Sequence, residues 1–513
     1  MIRQILALGC IMIAGSSAAQ TTDSFEEFIR KREQEMNSFE DDYKRGLDSL
    51  REAQNRDFAL LLAGKWSERE IAEAPPVLEK PKPETPPTVA DEKPDAVPVE
   101  PMPLPEVEVK PEPEQAPEEK PQESKPSEHP DDRSDDSPKQ EDTYRAQLEQ
   151  ALQGASIVPS KFYGNNTWVP AFAEAWPSCA EPLNPSTIAG YWKKCSELSI
   201  DRYLAYFSVQ RQILELSDWG MLSLVNHWSN QEFNDDTHAT LFKWYMLVQM
   251  GYDVRLMYNA EGAKLAYPFR QMFYGLSYIE MNGKSYFLLD DKQEGSFYTY
   301  DGSHAGAKQV LTLQQNPSAL FPNDEQLRSF DFSFEDKSYH IEIPFNRYRT
   351  KYYESIPQTE LDFYFTESGA NDFASSCNEH VRKAVDAFPT QRQQVRFLNA
   401  LVCSGIPYAT DQEQFGYEKF CLPEEALGYA MADCEDRTFL LNYLLRTFVG
   451  APTIGLHYPG HVAMAVALDE VHPEDARFNY KNRTYVYCDP TYIGADVGMM
   501  PSVYESQTPE VFD

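Results

Sequence analysis

The chain has 513 residues, which at ~150 residues per domain leaves room for about three domains if all of it folds. A formal net charge of -35 excludes nucleic acid as a partner, since holding a polyanion takes clustered Lys and Arg, and it equally disfavours electrostatic docking on anionic lipid. About half of the 37 prolines lie between Pro75 and Pro138, while the rest is rich in Tyr, Phe and Trp, so a core is expected in the C-terminal two thirds.

Residues 1–19 read as an export signal. Arg3 supplies a positive start, Ile5 to Ala14 is apolar, and Ser17-Ala18-Ala19 offers small residues for cleavage. The apolar run is too short to span a bilayer, and no later stretch is long enough. A periplasmic or secreted protein is therefore expected. Ala7-Leu8-Gly9-Cys10 loosely resembles a lipoprotein cleavage site, so a lipid anchor through Cys10 is the less favoured alternative.

Residues 23–71 carry a helical pattern. Ile29, Met36, Tyr43 and Leu50 recur every seven residues, with Phe25 and Phe39 on the same side. Such a stripe predicts a coiled coil or docking on an envelope partner or other surface; the alternative is a solvated, fraying helix. Residues 72–142 are rich in Pro, Glu and Lys and nearly free of aromatics, so they cannot bury enough apolar surface to offset their ordering entropy. They predict a disordered spacer reaching about 150–200 Å at ~3.1 Å per residue.

Two α+β blocks follow, residues 144–355 and 356–513. Helices are expected around Met221–Trp228 and Thr237–Met250, and strands near Tyr286–Leu289 and Tyr339–Ile343. The second block should open with one helix from Asn378 to about Cys403. Export permits disulfides. With Cys10 in the signal and Cys434 set aside for chemistry, six cysteines remain, which allow 15 connectivities. Cys179 and Cys195, close together in a loop-rich segment, are the expected pair.

The last block holds the ingredients of an activated thiol: a nucleophile, a base and a group that orients the base. Met431-Ala432-Asp433-Cys434 leads straight into an apolar-periodic helix, Thr438–Phe448. The unpaired N–H groups at a helix start favour a thiolate and can stabilise an oxyanion. Pro459-Gly460-His461 enters the strand Val462–Leu468. The strand Tyr485–Cys488 ends at Asp489-Pro490-Thr491, where Asp489 can fix the imidazole tautomer. Adjacent antiparallel strands would set His461 beside Asp489, facing the tip of the Cys434 helix. Against this, Asp433, Glu435 and Asp436 surround the thiol with negative charge that opposes ionisation, with Arg437 as an offset. Neither Cys-x-x-Cys pairs nor His spacing indicates a zinc site, and no glycine-rich phosphate loop is present, so no metal or cofactor is expected.

The order of Ala-Asp-Cys434 with its helix, Gly-His461-Val-Ala, and Tyr-Cys-Asp489-Pro-Thr resembles the transglutaminase-like superfamily over about 150 residues. The stretch from Gln414 to Lys419 with Pro423-Glu424-Glu425 looks like a subgroup of exported Bacteroidetes-type proteins. The chain departs from the common pattern in having Asp433 before the Cys and Val462-Ala463 after the His. The resemblance implies a papain-like fold in which Cys434 is the nucleophile, His461 the base and then the acid, and Asp489 the orienting carboxylate. It implies a cysteine hydrolase acting on peptide or protein amides through an acyl-thioester. The alternatives are a crosslinking acyltransferase and a non-catalytic scaffold that binds polypeptide.

The middle block shows a parallel pattern. Asp236-Thr237 precedes a helix, a Gly251-led strand follows, and Asn282 to Asp290 matches Lys481 to Asp489. This alignment sets Thr237 against Cys434, Asp290 against Asp489 and Lys264 near His461. The block is then either an inactive copy, its cleft filled by Tyr258, Tyr267 or Phe269, or a coincidence of helix–strand–strand patterns.

Overall fold

The computed structural model describes residues 45–75, 85–89, 102–103, 146, 148–149, 156–172, 175–290, 294–367 and 369–513. The export signal, Cys10, the repeat through Tyr43 and most of the expected spacer lie outside these residues. Among the described residues the chain is mixed α+β, and no helix is long and apolar enough to cross a membrane.

Two antiparallel sheets dominate. The first runs, edge to edge, Trp66–Glu70, Ser296–Tyr300, Arg255–Asn259, Gly262–Pro268, Lys284–Phe287, Ser277–Met281, Ala72–Glu73. The second runs Glu510–Phe512, Thr453–Tyr458, His461–Val466, Arg483–Cys488, Arg477–Tyr480, with Met102–Pro103 joining its last edge in parallel. Each follows a helix, Asp236–Gln249 or Cys434–Phe448. The four central strands after each helix occupy the same order in space: first, second, fourth, third.

Turn chemistry fixes both registers in the same way. Asn282-Gly283 and Lys481-Asn482 each close a two-residue hairpin with both residues at positive φ, the twist such hairpins need. His461 pairs with Tyr458 across Pro459-Gly460, as Gly262 pairs with Asn259 across a turn of equal length. Gly262 and His461, Tyr278 and Arg477, and Lys284 and Arg483 each lie 199 residues apart at matching register positions. Gly251 and Gly450, both at positive φ just past their helices, keep the same spacing.

The N-terminal helix ends earlier than the sequence pattern suggests. Residues 45–62 are helical, and Trp66–Glu70 is instead an edge strand beside Ser296–Tyr300. Leu50, on the expected apolar stripe, is 55% exposed. The buried side is Asn55, Phe58 and Leu62. Phe58 packs edge-on against Trp192, Tyr300 and His304, so the helix docks on its own middle block. The described parts of the spacer are also docked. Ala72–Glu73 pairs with Ser277 and Tyr278, Thr88 bridges to Ile493, and Met102–Pro103 pairs with Phe478 and Asn479.

The expected helix from Asn378 to Cys403 is two helices, Asn371–Val385 and Gln391–Gly405. Pro389 cannot donate to a continuing ladder, and Thr390 restarts the helix by capping the Gln393 N–H. The hairpin Glu325–Phe334 and Lys337–Asn346, placed by sequence in the first block, packs on these two helices. A single apolar cluster runs through both blocks. Buried Arg349 ties them further, reaching Glu424 at 2.7 Å and Asp372 at 2.6 Å. Cys179 and Cys195, expected as a disulfide, are both buried free thiols. The Cys179 Sγ–H donates to the Thr187 carbonyl instead.

Candidate active site

Asp433 is the N-cap of the Cys434 helix and Cys434 its first residue, so the sulfur sits at the turn whose N–H groups have no intrahelical acceptor. Thr438 pins that turn to the sheet, its hydroxyl donating to the Val462 carbonyl at 3.2 Å. Val462 directly follows His461, which opens its strand. Pairing of Met464 with Cys488 brings the end of the neighbouring strand alongside, and Asp489 follows Cys488.

His461 and Asp489 meet as the sequence requires. His461 Nε2 lies 2.8 Å from Asp489 Oδ2 with both side chains about 1% exposed. The same Oδ2 accepts from the Tyr487 hydroxyl at 2.9 Å, and Oδ1 accepts from the Thr491 N–H at 2.7 Å. Burial alone would push the Asp489 carboxyl up. The facing His461 and these hydrogen bonds overcome that penalty and hold it below the ordinary aspartate value. The other ring nitrogen, His461 Nδ1, is buried with no hydrogen-bond partner among the described residues.

Tyr504, which carried no signal in the sequence reading, covers the imidazole. Its ring stacks on His461 at 4.9 Å and 10°, and Tyr458 packs on it in turn. Burial, Asp489 and Cys434, in that order, push the Tyr504 hydroxyl pKa up, which places the tyrosine in electrostatic reach of the two outer members of the expected triad. Cys434, His461 and Asp489 are all buried.

The charges around the thiol are arranged differently from the expectation. The Cys434 Sγ–H donates to Glu435 Oε2 at 3.1 Å, a bond that exists only while sulfur keeps its proton. Asp436 is turned away to accept from the Cys421 N–H at 2.8 Å. Arg437 is no free offset, because it is buried and donates to the carbonyls of Ile406, Pro490 and Cys403. Burial lowers its pKa. Asp411, Glu418, Asp433 and Glu435 each bring a carboxylate oxygen within 4.8 Å of the others, the kind of oxygen set that a hard cation takes. Sequence reasoning missed this cluster because no local motif joins positions 411, 418, 433 and 435. The run from Gln414 to Glu425 holds buried ion pairs: Lys419 with Glu425, and Glu424 with Arg349.

The matched registers also locate the corresponding positions in the middle block. Gly262, not Lys264, occupies the place of His461. Carrying the 199-residue spacing onward puts Asp290 at the place of Asp489, as the sequence alignment did. Carried back, it puts Asp235, the N-cap of its helix, at the place of Cys434, with Thr237 two residues further in. Lys264 still reaches the carboxylate, Nζ lying 3.4 Å from Asp290 Oδ2. Tyr267 and Phe269 are buried beside this sheet. Compared with models of protein families, with curated proteins and with solved structures, the chain finds no match in any of the three.

Proposed function

We propose that residues 356–513 form a papain-like, transglutaminase-like thiol domain of an exported protein, acting on peptide or protein amides through Cys434. The observation that carries this reading is the buried His461–Asp489 pair, with Nδ1 unpartnered among the described residues, on the strand pinned to the start of the Cys434 helix. Asp489 fixes the tautomer by accepting from Nε2–H, which leaves Nδ1 as the basic nitrogen. The thiol proton, held toward Glu435, passes to Nδ1 as sulfur attacks the substrate carbonyl. The helix N–H groups receive the oxyanion. His461 then protonates the departing amine, and an acyl-thioester remains on Cys434. Water, activated by His461, releases the acid and restores the thiol.

An amine arriving in place of water would give transamidation by the same intermediate, and the crosslinking alternative differs only in the acceptor. The middle block, on this reading, arose from the same unit by duplication and lacks both sulfur and imidazole at the matching positions.

The test is incubation of the full chain with a peptide library, with and without excess amine, followed by mass spectrometry. Cleaved or amine-tagged peptides and an acyl adduct on Cys434 are expected. Identical product profiles from wild type and a folded Cys434→Ala variant would overturn the proposal and leave the polypeptide-binding scaffold.

A further inference from the structure

The segment Thr85–Val89 lies within the stretch whose composition predicts a free spacer. It is nonetheless held by backbone hydrogen bonds on both sides of Thr88. The Ile493 N–H donates to the Pro87 carbonyl at 2.9 Å, and the Val89 N–H donates to the Ile493 carbonyl at 3.1 Å. Thr88 and Ile493 thus form a parallel bridge, and Pro86 to Val89 become half-buried. Ile493 follows a tight turn that begins at Asp489 and is closed by the Tyr492 N–H on the Asp489 carbonyl. Arg437, on the Cys434 helix, holds the same turn through the Pro490 carbonyl. The bridge therefore stands one residue beyond the loop that connects the orienting carboxylate to the nucleophile's helix.

The contact is made by main chain, so it reads an extended conformation more than a side-chain sequence. Prolines suit it: they pre-set an extended backbone, and the accepting Pro87 needs only its carbonyl. Two further pieces of the chain are also held by main-chain pairing, in their case on sheet edges. Met102–Pro103 lies parallel to Phe478–Asn479, and Ala72–Glu73 lies against Tyr278 and Ser277 on the matching edge of the other sheet.

We propose that the backbone at Ile493 is a docking track for an extended polypeptide, and that Thr85–Val89 occupies it in cis as a competitor of the polypeptide substrate. The use of the track for substrate rests on the thiol-site reading above; the docking itself does not. While the spacer is seated, the chain leading from Asp489 is occupied. A substrate strand that displaces it gains two backbone hydrogen bonds at the residue that follows the Asp489 turn.

The experiment is hydrogen exchange on the full chain, read at the Ile493 amide, for wild type and for Val89→Pro, which removes one of the two donors. The synthetic peptide spanning residues 84–92 is then added in trans. Exchange at Ile493 is expected to quicken roughly tenfold in Val89→Pro, the size expected for loss of about one hydrogen bond, and to slow again with excess peptide. Alkylation of Cys434, followed in parallel by mass spectrometry, should speed up in the variant and slow with the peptide. Unchanged Ile493 exchange in Val89→Pro, or no recovery with peptide, overturns the track whatever the thiol does. If Ile493 protection follows the peptide while no acyl adduct ever forms on Cys434, the track stands as a polypeptide-binding backbone segment and the hydrolase reading falls.

Discussion

Two sheets in this chain share a strand order and a register, yet only one carries a buried histidine–aspartate pair next to a helix that starts with cysteine. In the C-terminal sheet the second strand opens with His461 and the fourth ends before Asp489; in the middle sheet the same places hold Gly262 and Asp290. The backbone requirements are alike in both: a helix, a short turn opening the second strand, and a two-residue hairpin of positive φ between the third and fourth. What differs is burial and charge. Asp489 is sealed beside an imidazole, whereas Asp290 is 53% exposed beside a lysine. The scaffold therefore places a carboxylate at this position in either case, and the surrounding side chains decide whether it can orient a base.

The comparison breaks most sharply at the thiol. On the proposed mechanism, Cys434→Ala and His461→Ala should each lower turnover by about 10⁴-fold or more, because a nucleophile and its base act as a unit. Circular dichroism and thermal melts should show both variants folded. The matching change Asp235→Asn in the middle block should leave turnover unaltered. A Cys434→Ala variant with substantial residual activity would remove the distinction between the two sheets.

A second test concerns how each sheet is supported. The middle sheet borrows residues 45–62, whose Phe58 fills a pocket of Trp192, Tyr300 and His304. Phe58→Ala should cost about 3–5 kcal/mol, as for other buried aromatics, measured by urea unfolding. Acid should act at the same place. Burial pushes His304 down to about 4, so it stays neutral in the folded chain while an unfolded histidine takes up a proton. Its contribution is full above pH 6.5 and is lost as pH falls from there toward 4. His304→Gln should flatten that part of the stability profile.

The pairing of His461 with Asp489 and the place of Cys434 at a helix start were the most legible features of the sequence, because each residue sits at the end of an element whose pattern is local: an apolar helix, an apolar strand, and a strand stopped by Asp-Pro. Pairing of the two strands then follows from antiparallel geometry. Tyr504 and the acidic set around Glu435 were not legible, since their contacts join segments that no periodicity connects. The N-terminal stripe lies outside the described residues through Tyr43, and only its end can be followed. Its heptad ends at Leu50, and the residues that dock, Phe58 and Leu62, obey the shape of an aromatic pocket far along the chain. The spacer's composition says nothing about the single backbone bridge that Thr88 makes to Ile493 or the short strand pairings of 72–73 and 102–103.

Asp489→Asn should have an intermediate effect. The amide keeps one oxygen, which can accept from the Thr491 N–H, but it sets an NH2 group where Oδ2 had accepted from Tyr487 and faced His461, and it no longer stabilises a charged imidazole, so turnover should fall while the fold survives at a cost of about 1–3 kcal/mol. The sign in acid follows from the lowered Asp489 pKa. The carboxylate's stabilisation is complete above the ordinary aspartate value of 3.8 and disappears as pH drops through the lower folded value. Wild type and variant should therefore converge in stability below that pH, and a gap that persists there would show that Asp489 acts by packing alone.

The smallest effect is expected at the twin position, and it is the one that isolates environment from backbone. Asp290 and Asp489 follow matching strands in matching registers, and each faces a cationic or ionisable side chain, Lys264 or His461. If register alone set the strength of such a pair, Asp290→Asn would cost as much as Asp489→Asn. Solvent argues otherwise. Lys264 and Asp290 are 35% and 53% exposed, so water already stabilises both charges and salt screens what remains. Asp290→Asn should therefore shift stability by no more than about 0.5 kcal/mol and should leave Cys434 reactivity unaltered. Urea unfolding at low and at high salt would read the difference directly. A loss comparable to that of Asp489→Asn would mean that the middle sheet holds its carboxylate for a purpose of its own.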